Sequence, residues 1–469
     1  MEETSMHRIE EVVDGGMCVG CGACSVATGG KIPVTIGRRG AWSASLEGTS
    51  SETRRRGSRV CPFSDESLDE NEIADRIFPD DLPQTDILGK YGKIAAGRRI
   101  DPTELEKSSS GGLTSWMAHQ LLKKNLVDGV VHVGNADLNS GNGLFAYQIS
   151  TSASEVLSKR KSTYYSTSFA EALTTLKGDG RRYAFVGVPC FVRAARNLCA
   201  EDPELDEQLV FFLGLVCGHL KSAWFAEAMA WQTGVAPEAL AEVDFRIKAP
   251  GRNSNDYDFG ARSINETSFR SRPTRELIGG NWGHGMFQLN ACNYCDDIFA
   301  ETADAVFGDA WLPQYQNDSR GTNIAITRHP ELGEILEEGS LTGELELDEL
   351  SPQAAAASQG GNYRHRRIGL AVRLKDDIRV SKSVPNKRVA PSIAGVSQQR
   401  LKTIRLRRAM TDMSHETFAT AKENSSLEQF VKVMLPLTRR YRAIERGSLP
   451  RRIVRGCLRT AKRIAAYKR

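Results

Sequence analysis

Apolar positions change period along the chain, and each change predicts an element. Leu113, Trp116, Met117, Leu121 and Leu122 recur at helical spacing, and Asp128-Gly129 then leads into Val130-Val131-His132-Val133. That pattern is a helix followed by a strand. A second helix, Ser168 to Leu176, leads to a strand from Tyr183 to Val188 that ends at Pro189-Cys190. A third strand, Leu209 to Val216, ends at Cys217; Ala303 to Ala310 and Asn323 to Thr327 predict two more. Helices alternating with short apolar strands predict an α/β sheet that is at least partly parallel.

The flanks read differently. Residues up to about Ser64 lack long apolar runs and carry four cysteines. Asp65 to Asp86 is polar and acidic, and Pro79 and Pro83 mark it as a linker. From about Pro250 to Cys292 the chain is richer in Gly, Arg and Asn, and after about Leu350 in Ala, Gln and Lys/Arg. Near the end, Val454, Cys457, Leu458, Ala461 and Ile464-Ala465 recur at helical spacing among Arg451, Arg452, Arg455, Arg459, Lys462 and Arg463. That predicts a basic amphipathic helix, either a solvated surface helix or one that touches an anionic membrane.

The 469 residues are 40% hydrophobic and 26% charged, a globular composition with room for two to four domains. The longest apolar run, Leu209 to Cys217, is strand-sized and far short of the roughly 18 residues of a membrane span. Glu2, Glu3 and His7 occupy the start, where a secretory signal would have a basic region and an apolar core. A secreted enzyme or a transporter is therefore not expected, and the expected location is cytoplasmic, with membrane-peripheral contact through the tail as an option. The net charge of +4 hides an asymmetry: Arg439 to Arg469 holds 12 Lys/Arg against one acid, Glu445, while the body is mildly acidic.

Ten cysteines are too sparse for a disulfide scaffold in a chain of this length, and their spacing points to metal. The strongest signal is Cys18-x-x-Cys21-x-x-Cys24 with a remote Cys61-Pro62. Three thiolates at two-residue gaps can wrap one side of a [4Fe-4S] cube, and a remote cysteine closes it. Gly20 and Gly22 let the backbone turn tightly around the sulfurs. A structural zinc site usually has two separated CxxC knuckles instead. A second set is Cys190, Cys217, Cys292 and Cys295. Cys190 and Cys217 each follow a strand, and the carboxyl ends of neighbouring strands in an α/β sheet converge on one ligand crevice. Cys292-x-x-Cys295 is a short chelating pair; spacing alone leaves a second cluster, a zinc knuckle and plain buried cysteines all open. Cys199 and Cys457 lack partners and read as ordinary thiols.

Ser108-Ser109-Ser110-Gly111-Gly112 precedes the helix that contains Trp116. Serines can cap that helix, and glycines let a ligand approach bare backbone, as suits a pyrophosphate or a flavin edge. A simple capped helix after a flexible loop satisfies the same composition. Neither GxGxxG after a strand nor GxxxxGK[ST] is present, so a standard nucleotide loop is unsupported.

In combination, these segments resemble the family of coenzyme F420 hydrogenase/dehydrogenase beta subunits, which includes the plant 7-hydroxymethyl chlorophyll a reductase. The resemblance runs from about Cys18 to Arg367. It rests on CVGCGAC, on KSSSGGLTSWMAHQLLKKNLVDGVV (Lys107 to Val131), on RKSTYY (Arg160 to Tyr165), on VGVPCFVRAAR (Val186 to Arg196) and on CNYCDDIFAETADAVFGDAWL (Cys292 to Leu312). It implies FAD and one or two [4Fe-4S] clusters, the second held by Cys190, Cys217, Cys292 and Cys295. It also implies that Ser109, Ser110, Gly111 and Gly112 lie against the flavin, with Lys161, Ser162 and Tyr164 as further contacts. Asp309 is carried over as a site residue without an assigned role. The implied fold is a ferredoxin-like iron–sulfur N-terminal segment joined to a mixed α/β flavin-binding domain.

The expected layout is an iron–sulfur segment (1–66), a linker (67–90), two family-like regions (91–180 and 181–350) and a variable C-terminal extension (351–469). The expected function is an iron–sulfur flavoprotein oxidoreductase. It would couple a one-electron carrier such as ferredoxin to a deazaflavin such as coenzyme F420, or to a small organic substrate. The alternative is a zinc-stabilised assembly protein whose basic tail binds nucleic acid or an acidic partner. The oxidoreductase reading expects no nucleic acid.

Overall fold

The computed structural model describes residues 6–446, so the basic helix expected around Arg451 to Arg463, and Cys457 with it, lies outside the described residues. The centre is an eight-stranded mixed sheet. Its strands are β1 (Ile94–Arg99), β2 (Gly129–Asn135), β3 (Phe145–Ser150), β4 (Tyr183–Gly187), β5 (Leu209–Leu215), β6 (Ala305–Asp309), β7 (Asn323–Thr327) and β8 (Leu345–Glu349). Their spatial order is β8-β1-β7-β6-β5-β4-β2-β3. The inner run β6-β5-β4-β2 is parallel, and antiparallel strands close both sides. The α/β expectation holds, with the predicted strands within a residue or two of their observed bounds.

Neighbouring residues on one strand enter different cores, as the two-residue period of a strand requires. Val130 and Phe211 join Leu113, Trp116, Met117 and Leu336 on one face. Val131 and Phe212 join the core on the other face. The first face is covered by α1 (Leu113–Lys123) and the helix Pro330–Leu341. The second is covered by α2 (Pro189–Glu201), which starts on Pro189, where a missing N–H costs nothing.

Two sequence expectations change. The N-terminal segment has no apolar core of its own. Ile9, Val12, Cys24 and Val60 share one core with Phe169, Phe191 and Leu198, and the helices Ala23–Ala27 and Ser51–Val60 pack on α2. Within the stretch expected as a linker lies the helix Glu70–Ile77, opened by a reciprocal Asp69/Glu72 cap. Arg193 of α2 holds it, donating to Leu68 O and pairing with Glu70 at 3.2 Å, both side chains buried. Glu70 there serves a buried arginine rather than solvent.

After β5 the chain makes the helix Ala223–Gln232 and a three-stranded antiparallel sheet, Leu240–Ile247, Asp258–Ser263 and Arg270–Pro273. The extension beyond 351 is helical and packed. It comprises α3 (Ile368–Ile378), α4 (Gln398–Glu423) and α5 (Leu427–Arg446). Phe418, Phe430 and Met434 of the last two close an aromatic core around Phe287 with Phe225, Phe245 and Phe259.

Candidate functional site

The first thiol set is built by short elements. The chain turns through Cys18–Gly22 into the helix Ala23–Ala27, forms a hairpin (Val34–Ile36 with Trp42–Ala44), and runs along Ser51–Val60. That helix is capped by Ser50, whose hydroxyl accepts from Thr53 N–H, and it stops at Cys61-Pro62. Cys18, Cys21, Cys24 and Cys61 line one small cavity with Ile9, Val12, Val34, Ala44 and Phe63. Gly20 sits at φ +70°, and an added Cβ would lie 2.3 Å from Trp42 Cβ. Only glycine lets the hairpin close over the turn. Gly20 N–H and Ala44 N–H both donate to Cys18 Sγ at 3.4 Å. Burial pushes the Cys61 thiol up to about 12, and the neighbouring Cys18 adds to the effect. Deprotonating such thiols requires compensating positive charge, as a metal supplies.

The second set comes from separate elements. Cys190 lies in the first turn of α2, Cys217 two residues beyond β5, and Cys292 and Cys295 on and just after the turn Asn290–Asn293. After burial, the charges felt most strongly by Cys190 are Cys295, Cys217 and Cys292, followed by Cys21 of the first set. Leu220 N–H donates to Cys292 Sγ at 3.2 Å. The phenol of Tyr147 feels both Cys190 and Cys21. Its ring stacks on Phe185 and Phe191 at 5.6 and 5.8 Å, so one aromatic wall adjoins both sets. The described residues hold no group of three or more His, Cys, Asp or Glu suited to a single metal ion.

The extension beyond 351, which the sequence left without a role, clamps this second set. Arg373 donates to Asn293 O at 2.8 Å, and Arg408 and Tyr294 share Asp377. Arg388 pairs with Glu301 at 2.6 Å. Arg366 is 1% exposed and donates to Cys217 O at 3.2 Å. No spacing rule marks Arg366, Arg373 and Arg388, because these partners lie about 80 to 150 residues away.

A crevice of about 200 Å³ opens at the carboxyl ends of β5 and β6. Ser109, Ser110, Gly112, Ser162, Tyr164 and Asp309 line it, and so does Cys217. Ser162 N–H donates to Ser109 Oγ at 2.8 Å, which ties the two predicted segments together. Gly112 opens α1 in the left-handed region, at φ +79°. Two predicted residues fall elsewhere. Gly111 faces the sheet: an added Cβ would meet Gly97 O at 2.6 Å and Asn323 N at 2.9 Å. Lys161 lines an adjoining hollow of about 190 Å³ with Lys159 and Arg160, and it pairs with Asp244 at 3.0 Å. The crevice also holds Arg160, His219, Lys221, Arg246 and Trp282, which the sequence reading missed. Asp309 pairs with the buried Arg246 at 2.7 Å. Burial pushes the Tyr164 phenol up and holds Lys221 and His219 well below their usual ranges, neighbouring cations adding to the effect on both.

Two family models match this chain, both described as coenzyme F420 hydrogenase/dehydrogenase. One, for the N terminus of the beta subunit, matches residues 94–174. The other, for the C terminus of the beta subunit, matches residues 180–353. Together they span more than half of the sequence. The chain therefore belongs to the family of coenzyme F420 hydrogenase/dehydrogenase beta subunits, a family of oxidoreductases. Among its relatives is the F subunit of F(420)H(2) dehydrogenase from Methanosarcina mazei, 29% identical over 325 residues, which are 66% of this chain and 80% of the relative. A chain of the F420-reducing [NiFe] hydrogenase complex from Methanosarcina barkeri, solved as a xenon derivative, aligns with a TM-score of 0.48 at 17% identity. It covers 65% of this chain and 99% of that one. Crevice loop, second thiol set and Asp309 all lie within the matched regions; Cys18 to Cys61 and Arg366 lie outside them.

Proposed function

We propose that this chain is an iron–sulfur flavoprotein oxidoreductase. It would move electrons between a one-electron carrier such as ferredoxin and a deazaflavin or a small organic substrate. The observation that carries this reading is that Cys217 of the second thiol set lines the same crevice as the Ser109–Gly112 loop. When bound, FAD supplies hydride chemistry and two [4Fe-4S] clusters supply one-electron chemistry.

The residues present suit those groups. Cys18, Cys21, Cys24 and Cys61 would hold one cluster; Cys190, Cys217, Cys292 and Cys295 would hold the other. Arg366 has buried Nε and Nη1 donors with no hydrogen-bond partner among the described residues, and the four thiols of the second set are the main charges it feels. A buried cation of that kind calls for an anion, and a thiolate-bound cluster is one. Ser109, Ser110, Gly112, Ser162 and Tyr164 would border the flavin. Lys159, Arg160 and Lys161 would give the adjoining hollow the positive charge that a pyrophosphate needs. Arg246 fixes Asp309 at the crevice rim, so this carboxylate meets a substrate already oriented. Beside it, an open hollow of about 850 Å³ lined by Trp282, Trp311, Arg275 and Arg364 suits an aromatic, anionic substrate. The M. mazei relative is named as one subunit of an enzyme, and we infer that this chain also works beside protein partners.

Anaerobic purification with iron, sulfide, zinc and flavin assays tests the reading. About eight irons and one flavin per chain are expected. Cys21→Ser and Cys292→Ser should each remove about four irons, with Cys21→Ser keeping its flavin. A colourless protein with zinc and no flavin would overturn the proposal.

A further inference from the structure

The second thiol set is surrounded by an unusual charge distribution. Among the buried arginines, Arg193 and Arg246 are matched by the acids Glu70 and Asp309, and Arg328 by five backbone carbonyls. Arg366 is not. Its Nη2 donates to Cys217 O at 3.2 Å and lies 3.7 Å from Cys217 Sγ. Its Nε and Nη1 have no partner among the described residues, although the residue is 1% exposed. An unmatched guanidinium in such surroundings is costly unless negative charge stands opposite it.

Other charges around the set are engaged. Asp296, next to Cys295, is paired with Lys387 and Arg388. Lys221, which feels Cys292, donates to Met286 O. Arg407, which also feels Cys292, donates to His219 and to Gln288 Oε1. Arg373 donates to Asn293 O and His365 O. Arg366 differs because the four thiols of the set bear on it most and, among the described residues, no carboxylate forms an ion pair with it. Among the described residues the first set has no such neighbour: Arg193 bears on Cys61 but is held by Glu70.

We propose that Arg366 is the resident counter-cation of the Cys190/Cys217/Cys292/Cys295 cluster and sets its reduction potential above that of the Cys18/Cys21/Cys24/Cys61 cluster. The inference rests on the proposed function, which supplies the cluster. Reduction adds one electron to an already anionic group, so a fixed positive charge a few ångströms away stabilises the reduced form more than the oxidised form. Water does not screen that charge, because the guanidinium is buried. The residue lies on the helix Gly360–Arg366, past the end of the matched family region at residue 353. The extension thereby tunes a centre whose ligands lie in the shared fold. It places the electron sink next to the crevice and the weaker one on the N-terminal side. Arg366 acts here as a positioning charge rather than as a ligand.

The test is a redox titration followed by electron paramagnetic resonance, on the full chain purified anaerobically, with iron counted in every sample. Arg366→Gln keeps part of the side chain and two N–H donors but removes the charge. Arg366→Lys keeps the charge. The Gln variant should retain about eight irons. The midpoint of one cluster should fall, biasing its one-electron equilibrium toward the oxidised form by tenfold or more, which is about 59 mV per decade. The other cluster should not move, and the Lys variant should shift less than the Gln variant. If the Gln variant loses about four irons while Lys keeps them at a near-native midpoint, the charge requirement stands in a stronger form. Eight irons with both midpoints unchanged would overturn the inference, as would equal shifts in the two variants or cluster loss in both. Only about four irons in the parent protein would instead overturn the two-cluster reading itself.

Discussion

Arg328 is the sharpest stability test that the fold offers. Its guanidinium is 2% exposed, and it donates to five backbone carbonyls: Lys90 O, Leu88 O, Phe299 O, Ala300 O and Ala303 O, at 2.7 to 3.3 Å. All five donors of an arginine are thereby used. These bonds join the segment before β1 to the loop that follows Cys295. Arg328→Met would take a donor from five buried carbonyls, of which Ala300 O keeps the Ala303 N–H, at about 1–3 kcal/mol for each one left unpaired. Against that, a buried cation no longer has to be desolvated, which returns several kcal/mol. The expected net loss is about 3–5 kcal/mol, the range seen when one partner of a buried charged network is removed. Urea unfolding should show a lower midpoint at an unchanged m-value. Hydrogen exchange should accelerate at residues 88–90 and 299–303 before it does in β4 or β5. Arg328→Lys, with three donors instead of five, should fall between the two. A loss below about 1 kcal/mol for the Met variant would refute the reasoning, since it would mean that the carbonyls find other partners without cost.

Two further expectations concern acid and the crevice loop. His132, His284 and His415 are each held down to about 4, with burial the main cause, against 6.5 for a free histidine. The unfolded chain then binds more protons between those values, so these groups contribute stability above pH 6.5 that is lost as pH falls toward 4. Urea midpoints measured across that window should drop steadily, with proton uptake on unfolding; a flat profile would refute the assignment. Gly111→Ala forces its Cβ toward Gly97 O, at about 1–3 kcal/mol. It should lower flavin content without lowering iron, and equal loss of both would show that the loop serves general folding.

The parallel strands were legible because each is a short apolar run bounded by turn residues, and a buried parallel strand needs little else. Both thiol sets were legible for different reasons. Cys18, Cys21 and Cys24 announce themselves by spacing. Cys190 and Cys217 do so only through the rule that strand ends converge, aided by the family resemblance. Arg366, Arg373 and Arg408 were invisible, because a lone arginine in a basic, helical stretch looks like a solvated face until its remote partner is placed. The helix Glu70–Ile77 was misread for the same reason: Asp69, Glu70 and Glu72 look like linker acids, and Arg193 is more than a hundred residues away. Gly111 and Gly112 could not be separated in sequence, yet one faces the sheet and the other the crevice.

The core shared by the N-terminal segment and α2 orders events during synthesis. Ile9, Val12 and Val60 cannot be buried until Phe191 and Leu198 have been made. Translation at about 5–20 residues per second separates Cys61 from α2 by roughly ten seconds. Throughout that interval Cys18, Cys21, Cys24 and Cys61 stand on a nascent chain whose core is still open on the side that α2 will cover. A cluster-delivering chaperone would meet them accessible, whereas the second thiol set gains its last thiol, Cys295, only after α2 is complete. On the proposed function, the first centre would be loaded on the ribosome, and the second into a domain that is already closing.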